Sequence, residues 1–287
     1  MGIGQVISDT FGTVKGRFGS LLGLWAIYFA ITIVLTFALG IGMAGVGIAG
    51  LSTIESNPLA AGGGIIVVML LFYIGYIFVA MAQYASLILM ASPLRQITLG
   101  EALGAGWRAA PALFLLMIVL LVGYFAVAMI FGAAGTTLSA GGEAAGGILA
   151  LLLLPVLVWL GCRLAPLFAV VAVDGVRNPF AAIARCWRLT RGHALSIFLV
   201  SLVFGVILTV ICGIALLPSI GLLSSLADPA ALAQSGSVAP AFGGIALLFL
   251  GFLVASVLFN LLYCAFMAVI HSTLSGAAGE GAAGAFA

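Results

Sequence analysis

Hydrophobic residues run along this chain in long unbroken stretches, separated by short polar or glycine-rich breaks. Six stretches, Leu21–Val46, Ile65–Met90, Ala112–Ala134, Ile148–Val173, Ala194–Leu217 and Phe242–Ile270, reach or pass the length that a helix needs to cross a bilayer, about 20 residues. None shows the apolar–polar alternation of a barrel strand, so the pattern predicts transmembrane helices. The first stretch follows amphipathic sequence and is too long for the apolar part of a cleavable signal, so it is expected to stay as a span. Val6 stands where myristoylation after Gly2 requires Ser or Thr, which argues against that anchor. Pro218 is placed to end the fifth span.

The segments leading into the first, third and fifth spans have a different pattern, with apolar residues at helical spacing on one face only. Near the N-terminus these are Val6, Ile7, Thr10, Phe11, Val14 and Phe18. In the second loop they are Leu99, Leu103, Trp107 and Ala110. In the fourth, Asn178 is placed to cap and Pro179 to start a helix whose stripe is Phe180, Ile183, Ala184 and Trp187. Phe11, Trp107 and Trp187, with Arg185, Arg188 and Arg191, are the expected anchors at the membrane surface. The chain is therefore predicted to be an all-α polytopic bundle of three tandem units, about 1–90, 91–173 and 174–275, each an amphipathic interfacial helix plus a two-span hairpin. The Gly- and Ala-rich residues 276–287 read as a disordered tail.

Composition and charge sharpen this. Of 287 residues, 65% are hydrophobic and 6% charged, which excludes soluble enzymes, nucleic-acid binders and disordered chains. Eight of the 9 Lys and Arg residues fall in the N-terminal segment, the second loop or the fourth loop, whereas the other loops carry Glu55, Glu143 and Asp228 and no basic residue. The positive-inside rule then places both termini in the cytoplasm.

Candidate chemistry is sparse. The histidines, His193 and His271, both lie beside the basic side, and no nucleotide-loop, zinc-protease or serine-hydrolase motif is present. Carboxylates fall outside the predicted spans, and a surface cluster of Asp9, Glu101, Asp174 and His193 has no spacing to support it. Cys162, Cys186, Cys212 and Cys264 sit in or beside apolar runs, so no disulfide framework or metal site is expected; Cys186 is placed for acylation or as a buried thiol. No enzyme, metal or cofactor is predicted.

The ninth basic residue, Arg163, lies inside the fourth span, about ten residues from its basic end, where an ionisable residue is a functional candidate. Gln83 and Asn260 fall at comparable depth in the second and sixth spans, and Gln83 and Arg163 are 80 residues apart, as Trp107 and Trp187 are. Gln83, Arg163 and Asn260 are therefore expected to form one polar layer, with Tyr84 and Tyr263 as neighbours. Such a layer either fixes helix packing, using carbonyls freed by Pro155 and Pro166, or holds an anion or lipid headgroup.

The run from Asn178 to His193, NPFAAIARCWRLTRGH, leads straight into a span. It resembles an element of bacterial six-span proteins that include the membrane domain of glycerophosphoryl diester phosphodiesterases and related stand-alone integral membrane proteins. The resemblance implies a multi-pass protein of the bacterial cytoplasmic membrane and carries over no phosphodiesterase activity. Its expected role is non-catalytic: membrane organisation, lipid handling or partner binding. The alternatives are a carrier or channel for a lipid or small anionic solute using the Arg163 layer, and a membrane enzyme on phospholipid headgroups. The expected partners are the bilayer, anionic phospholipid headgroups and a protein or second copy of the chain, with no nucleic acid.

Overall fold

A computed structural model of the chain describes residues 2–51, 58–139, 155–226 and 239–284. Glu55, Glu143 and Asp228, the start of the fourth predicted span and the last residues of the tail lie outside that set. Among the described residues the secondary structure is helix joined by short turns, and six helices are long and apolar enough to cross a membrane. The protein is an all-α, multi-pass membrane bundle.

In chain order the helices are α1 (Ile3–Leu51), α2 (Pro58–Ala91), α3 (Leu99–Ser139), α4 (155–164), α5 (Leu167–Asp174), α6 (Pro179–Leu189), α7 (Ala194–Leu226) and α8 (Ala239–Gly284). Helix α2 packs between α1 and α3, and α8 packs on α1, α2 and α7. The short α5 lies against α2, α3 and α8, and α6 lies against α5 and α3.

The expected interfacial helix is a separate element only in the third unit. The N-terminal amphipathic segment is continuous with the first span, marked by a kink at Arg17 (φ −122°, ψ 20°). The second runs into its span without a break, Pro111 being carried inside the helix. Trp107 is half-buried and packed against the core. It packs inward, its ring 6.2 Å from Tyr28 of α1 and 5.9 Å from Phe78 of α2. Helix α7 likewise passes through Pro218, and the expected tail continues α8 as helix to Gly284.

Burial is concentrated at the basic end of the bundle. The last turns of α2, from Ala85 to Ser92, are buried all round, as is most of α8 from Leu261 to His271. Towards the far end the same helices turn bulky apolar side chains outward, Ile66 of α2 being 68% exposed and Phe252 of α8 67%. Lipid tails are as apolar as these side chains, so no hydrophobic force draws them together there.

The close crossing of α2 and α3 depends on one glycine. A Cβ on Gly106 would fall on Ser86 Oγ and 2.6 Å from the carbonyl oxygen of Ala82. That Ser86 hydroxyl also shares a hydrogen bond of 2.9 Å with Tyr28 of α1, so three helices meet at this point. Gly106→Ala is expected to destabilise the bundle by about 1–3 kcal/mol through overpacking, read as a lowered thermal midpoint in detergent. Gly123→Ala, where an added methyl meets nothing within 4 Å, is expected to leave the midpoint unchanged.

Candidate functional site

Pro166 has no N–H to donate, and the helix breaks at Ala165 and Pro166, dividing the fourth span into α4 and α5. The break would leave backbone carbonyls without partners in an apolar setting, which costs several kcal/mol per group. The sequence answers this with α6. Asn178 caps that helix, its side-chain oxygen accepting from the backbone N–H groups of Phe180 (3.0 Å) and Ala181 (3.3 Å), with Pro179 at the first position. Gly175 at φ 70° ends α5 in the left-handed conformation that turns the chain back.

Helix α6 then reaches Arg163. Cys186 Sγ and Thr190 Oγ1 both donate to the Arg163 carbonyl at 3.2 Å. In return one guanidinium nitrogen of Arg163 donates to the Trp187 carbonyl at 3.2 Å, in the last turn of α6. That end of a helix carries partial negative charge and unsatisfied carbonyls, so a cation is favoured there. The guanidinium also lies 4.7 Å from the centre of the Trp187 ring and 5.2 Å from that of Trp159. The two indoles meet edge to face, 5.3 Å apart. Arg163 is therefore not isolated in mid-span, as counting along the chain suggests: the folded-back α6 brings backbone and aromatic partners to it. One of its nitrogens, Nε, is buried without a hydrogen bond.

The expected polar layer assembles only in part. Tyr84 of α2 and Tyr263 of α8 meet edge to face, 6.4 Å between ring centres. Asn260 instead donates to the Ser256 carbonyl of its own helix at 2.9 Å, and Gln83 is half-buried on α2. Among the described residues, no hydrogen bond joins Arg163 to either. The structure shows how the expected anchors are placed. On α6 the small residues Ala182 and Cys186 face the bundle, while Phe180 of the predicted stripe is 69% exposed. Phe11 is half-buried against the core, and Arg188 and Arg191 are exposed.

A second cluster was not apparent from spacing. Asp174, at the end of α5, accepts from Arg185 of α6 at 2.6 Å and lies 3.2 Å from Nε2 of His271 on α8. His271 is fully buried. This pairs Asp174 with His271 and not with His193, whose ring faces the Arg191 carbonyl. Among the described residues, no three His, Cys, Asp or Glu side chains are grouped so as to hold a metal.

Two concave features complete the picture. Between α7 and α8 lies a largely apolar groove of about 570 Å³, lined by Ser201, Gly205, Thr209 and Gly213 on one side and Phe259 and Tyr263 on the other. At the basic end a recess of about 340 Å³ is lined by Arg95, Arg108, Arg177 and Glu101, over a floor that includes Leu89 and Val171. Comparison of the chain with protein-family models, with curated proteins and with solved structures finds no match.

The Arg163 clasp has a direct readout in Cys186. That thiol is buried and hydrogen-bonded, and burial pushes its pKa up to about 12, so the reactive thiolate is scarce at neutral pH. In a background with Cys162, Cys212 and Cys264 changed to Ala, maleimide is expected to label native Cys186 very slowly. Arg163→Ala is expected to accelerate labelling about tenfold or more as α6 opens locally, with Arg163→Lys in between. An unchanged rate means that the arginine does not hold α6.

Proposed function

We propose that this chain is a non-catalytic, lipid-handling protein of a bacterial cytoplasmic membrane, with its basic end and both termini on the cytoplasmic side. The observation that carries the reading is the α7–α8 groove. Its four small residues, Ser201, Gly205, Thr209 and Gly213, recur every four positions, so they lie on one face of α7 and leave room beside the aromatic wall of α8. Added methyl groups at Gly205 and Gly213 meet nothing within 4 Å, so the space is open. The largely apolar lining between two helices long enough to span a membrane suits a phospholipid acyl chain.

The one-sided distribution of basic residues supports the orientation. The resemblance of residues 178–193 to bacterial six-span membrane proteins supports the same setting. The Asp174–Arg185 ion pair, with His271 in contact with the same carboxylate oxygen, supports a structural use of those groups, and the clasp around Arg163 favours lipid handling over a carrier built on that residue.

The test is retention of phospholipid by the purified protein, counted by native mass spectrometry. Gly205→Leu and Gly213→Leu place side chains in the groove from positions where an added Cβ meets nothing within 4 Å. Displacing two methylenes' worth of contact, at about 0.8 kcal/mol each, corresponds to roughly tenfold weaker retention. Helix content and thermal midpoint are expected to stay at wild-type values. Undiminished retention in both variants would refute the reading.

A further inference from the structure

Three arginines from distant parts of the chain line the recess at the basic end. Arg95 comes from the turn after α2, Arg108 from the second turn-and-a-half of α3's amphipathic start, and Arg177 from the connector between α5 and α6. Like charges gathered in one concavity repel one another, and exposed cations kept apart would avoid that cost. No carboxylate is ion-paired with any of the three among the described residues. Glu101, the acid in the recess, turns one oxygen to the Thr98 backbone N–H (2.8 Å) and hydroxyl (2.9 Å), where it closes the N-terminal cap of α3. Arg108 uses its Nε on the Gly104 carbonyl at 3.1 Å, which fixes the stem of the side chain.

We infer that this recess binds a phosphate group, as a phospholipid headgroup or as a phosphate-bearing solute. Three arginines against one acid leave a net charge of +2 in the lining, which a single carboxylate ligand cannot balance and a phosphate can. Planar guanidinium forks match the tetrahedral array of phosphate oxygens, each fork giving paired, charge-assisted hydrogen bonds. The volume of about 340 Å³ admits a headgroup-sized ligand, and the floor of Leu89, Val171 and Ala172 offers apolar contact to the carbon adjoining the phosphate. The inference rests on the reading of the chain as a membrane protein in contact with anionic lipid. It does not rest on the α7–α8 groove, which involves none of these residues.

The full-length protein is tested in two arms. In the first, protein in phosphatidylcholine nanodiscs is titrated with inorganic phosphate by calorimetry. In the second, protein extracted from mixed phosphatidylglycerol and phosphatidylcholine vesicles is examined by native mass spectrometry for retained phosphatidylglycerol. Arg95→Gln, Arg108→Gln and Arg177→Gln are compared with Arg191→Gln, an exposed arginine outside the recess. Each of the three is expected to weaken binding about tenfold, the scale of one lost charge-assisted hydrogen bond, while Arg191→Gln changes it little. Arg177→Gln is the variant safest for folding, because its side chain holds no other part of the bundle among the described hydrogen bonds.

A loss confined to phosphatidylglycerol identifies the lipid headgroup as the source, and a loss confined to inorganic phosphate identifies a solute; either supports the site. Binding absent from both arms, unaffected by the three variants, or weakened equally by Arg191→Gln overturns it. Gly213→Leu separates the two proposals: lower total lipid retention with unchanged phosphate or phosphatidylglycerol selectivity shows that the groove and the recess act independently.

Discussion

The constraint on which the rest of this structure depends is that a backbone carbonyl inside a membrane needs a donor. Pro166 interrupts the fourth span, and the Arg163 carbonyl beside the break is taken by Cys186 and Thr190 of α6. That requirement converts α6 from a loosely held surface helix into a fixed part of the bundle. It also explains why the helix buries its small residues: Ala182 and Cys186 let the backbones of α6 and its neighbours come close enough for those bonds, while Phe180 is left facing outward. The arginine that seemed costly in the sequence lies at the position where a cation is useful, over two indoles and against the carbonyl end of a helix.

The same device occurs at the first unit. Arg17, at the kink of α1, donates to the carbonyls of Met90 (2.6 Å) and Ser92 (3.2 Å) at the end of α2. Arg185, by contrast, meets the side-chain carboxylate of Asp174 at the end of α5. Helix ends leave carbonyls unsatisfied, and at the basic end of this bundle arginines from neighbouring elements satisfy them. Basic residues that a topology rule counts only as charges therefore also hold helix termini together. Arg95, Arg108 and Arg177 differ because none of them has an ion-pair partner among the described residues and all three converge on one recess.

What could be read from the sequence follows from the range of each interaction. The spans and the Asn178–Pro179 helix start are local signals and appear in the structure where they were expected. Thr98 and Glu101 form a capping box that the spacing Thr-x-x-Glu already displays. Tyr84 and Tyr263 could be matched by depth because both lie in unbroken helices. Depth counting did not reveal the partners of Arg163, since the number of residues to the end of a span says nothing about another helix folding back beside it. Amphipathic periodicity did not reveal the partners of Trp107 for a related reason: the pattern shows that a helix has two faces, and both can be occupied within a bundle. His271 and Asp174 are 97 residues apart, and no local pattern brings them together.

These interactions produce a molecule with two unlike halves. At the basic end, directional bonds and close backbone approaches such as Gly106 against α2 fix the helices in one arrangement. Farther along, the helices are covered by lipid and have little reason to close on one another, because apolar surface gains nothing by leaving an apolar solvent. The groove between α7 and α8 begins beside the buried stretch of α8, at Tyr263 and Phe266, and reaches Gly213 and Leu216 on the lipid-covered side, where it carries less penalty than a comparable void in a water-soluble core. The aromatic pair Phe204–Phe266, stacked with centres 4.0 Å apart, holds the two helices together in the same region that the groove occupies. The groove is thus bounded by a rigid attachment and opens along lipid-facing helix surfaces, a geometry that admits a chain without requiring the bundle to come apart.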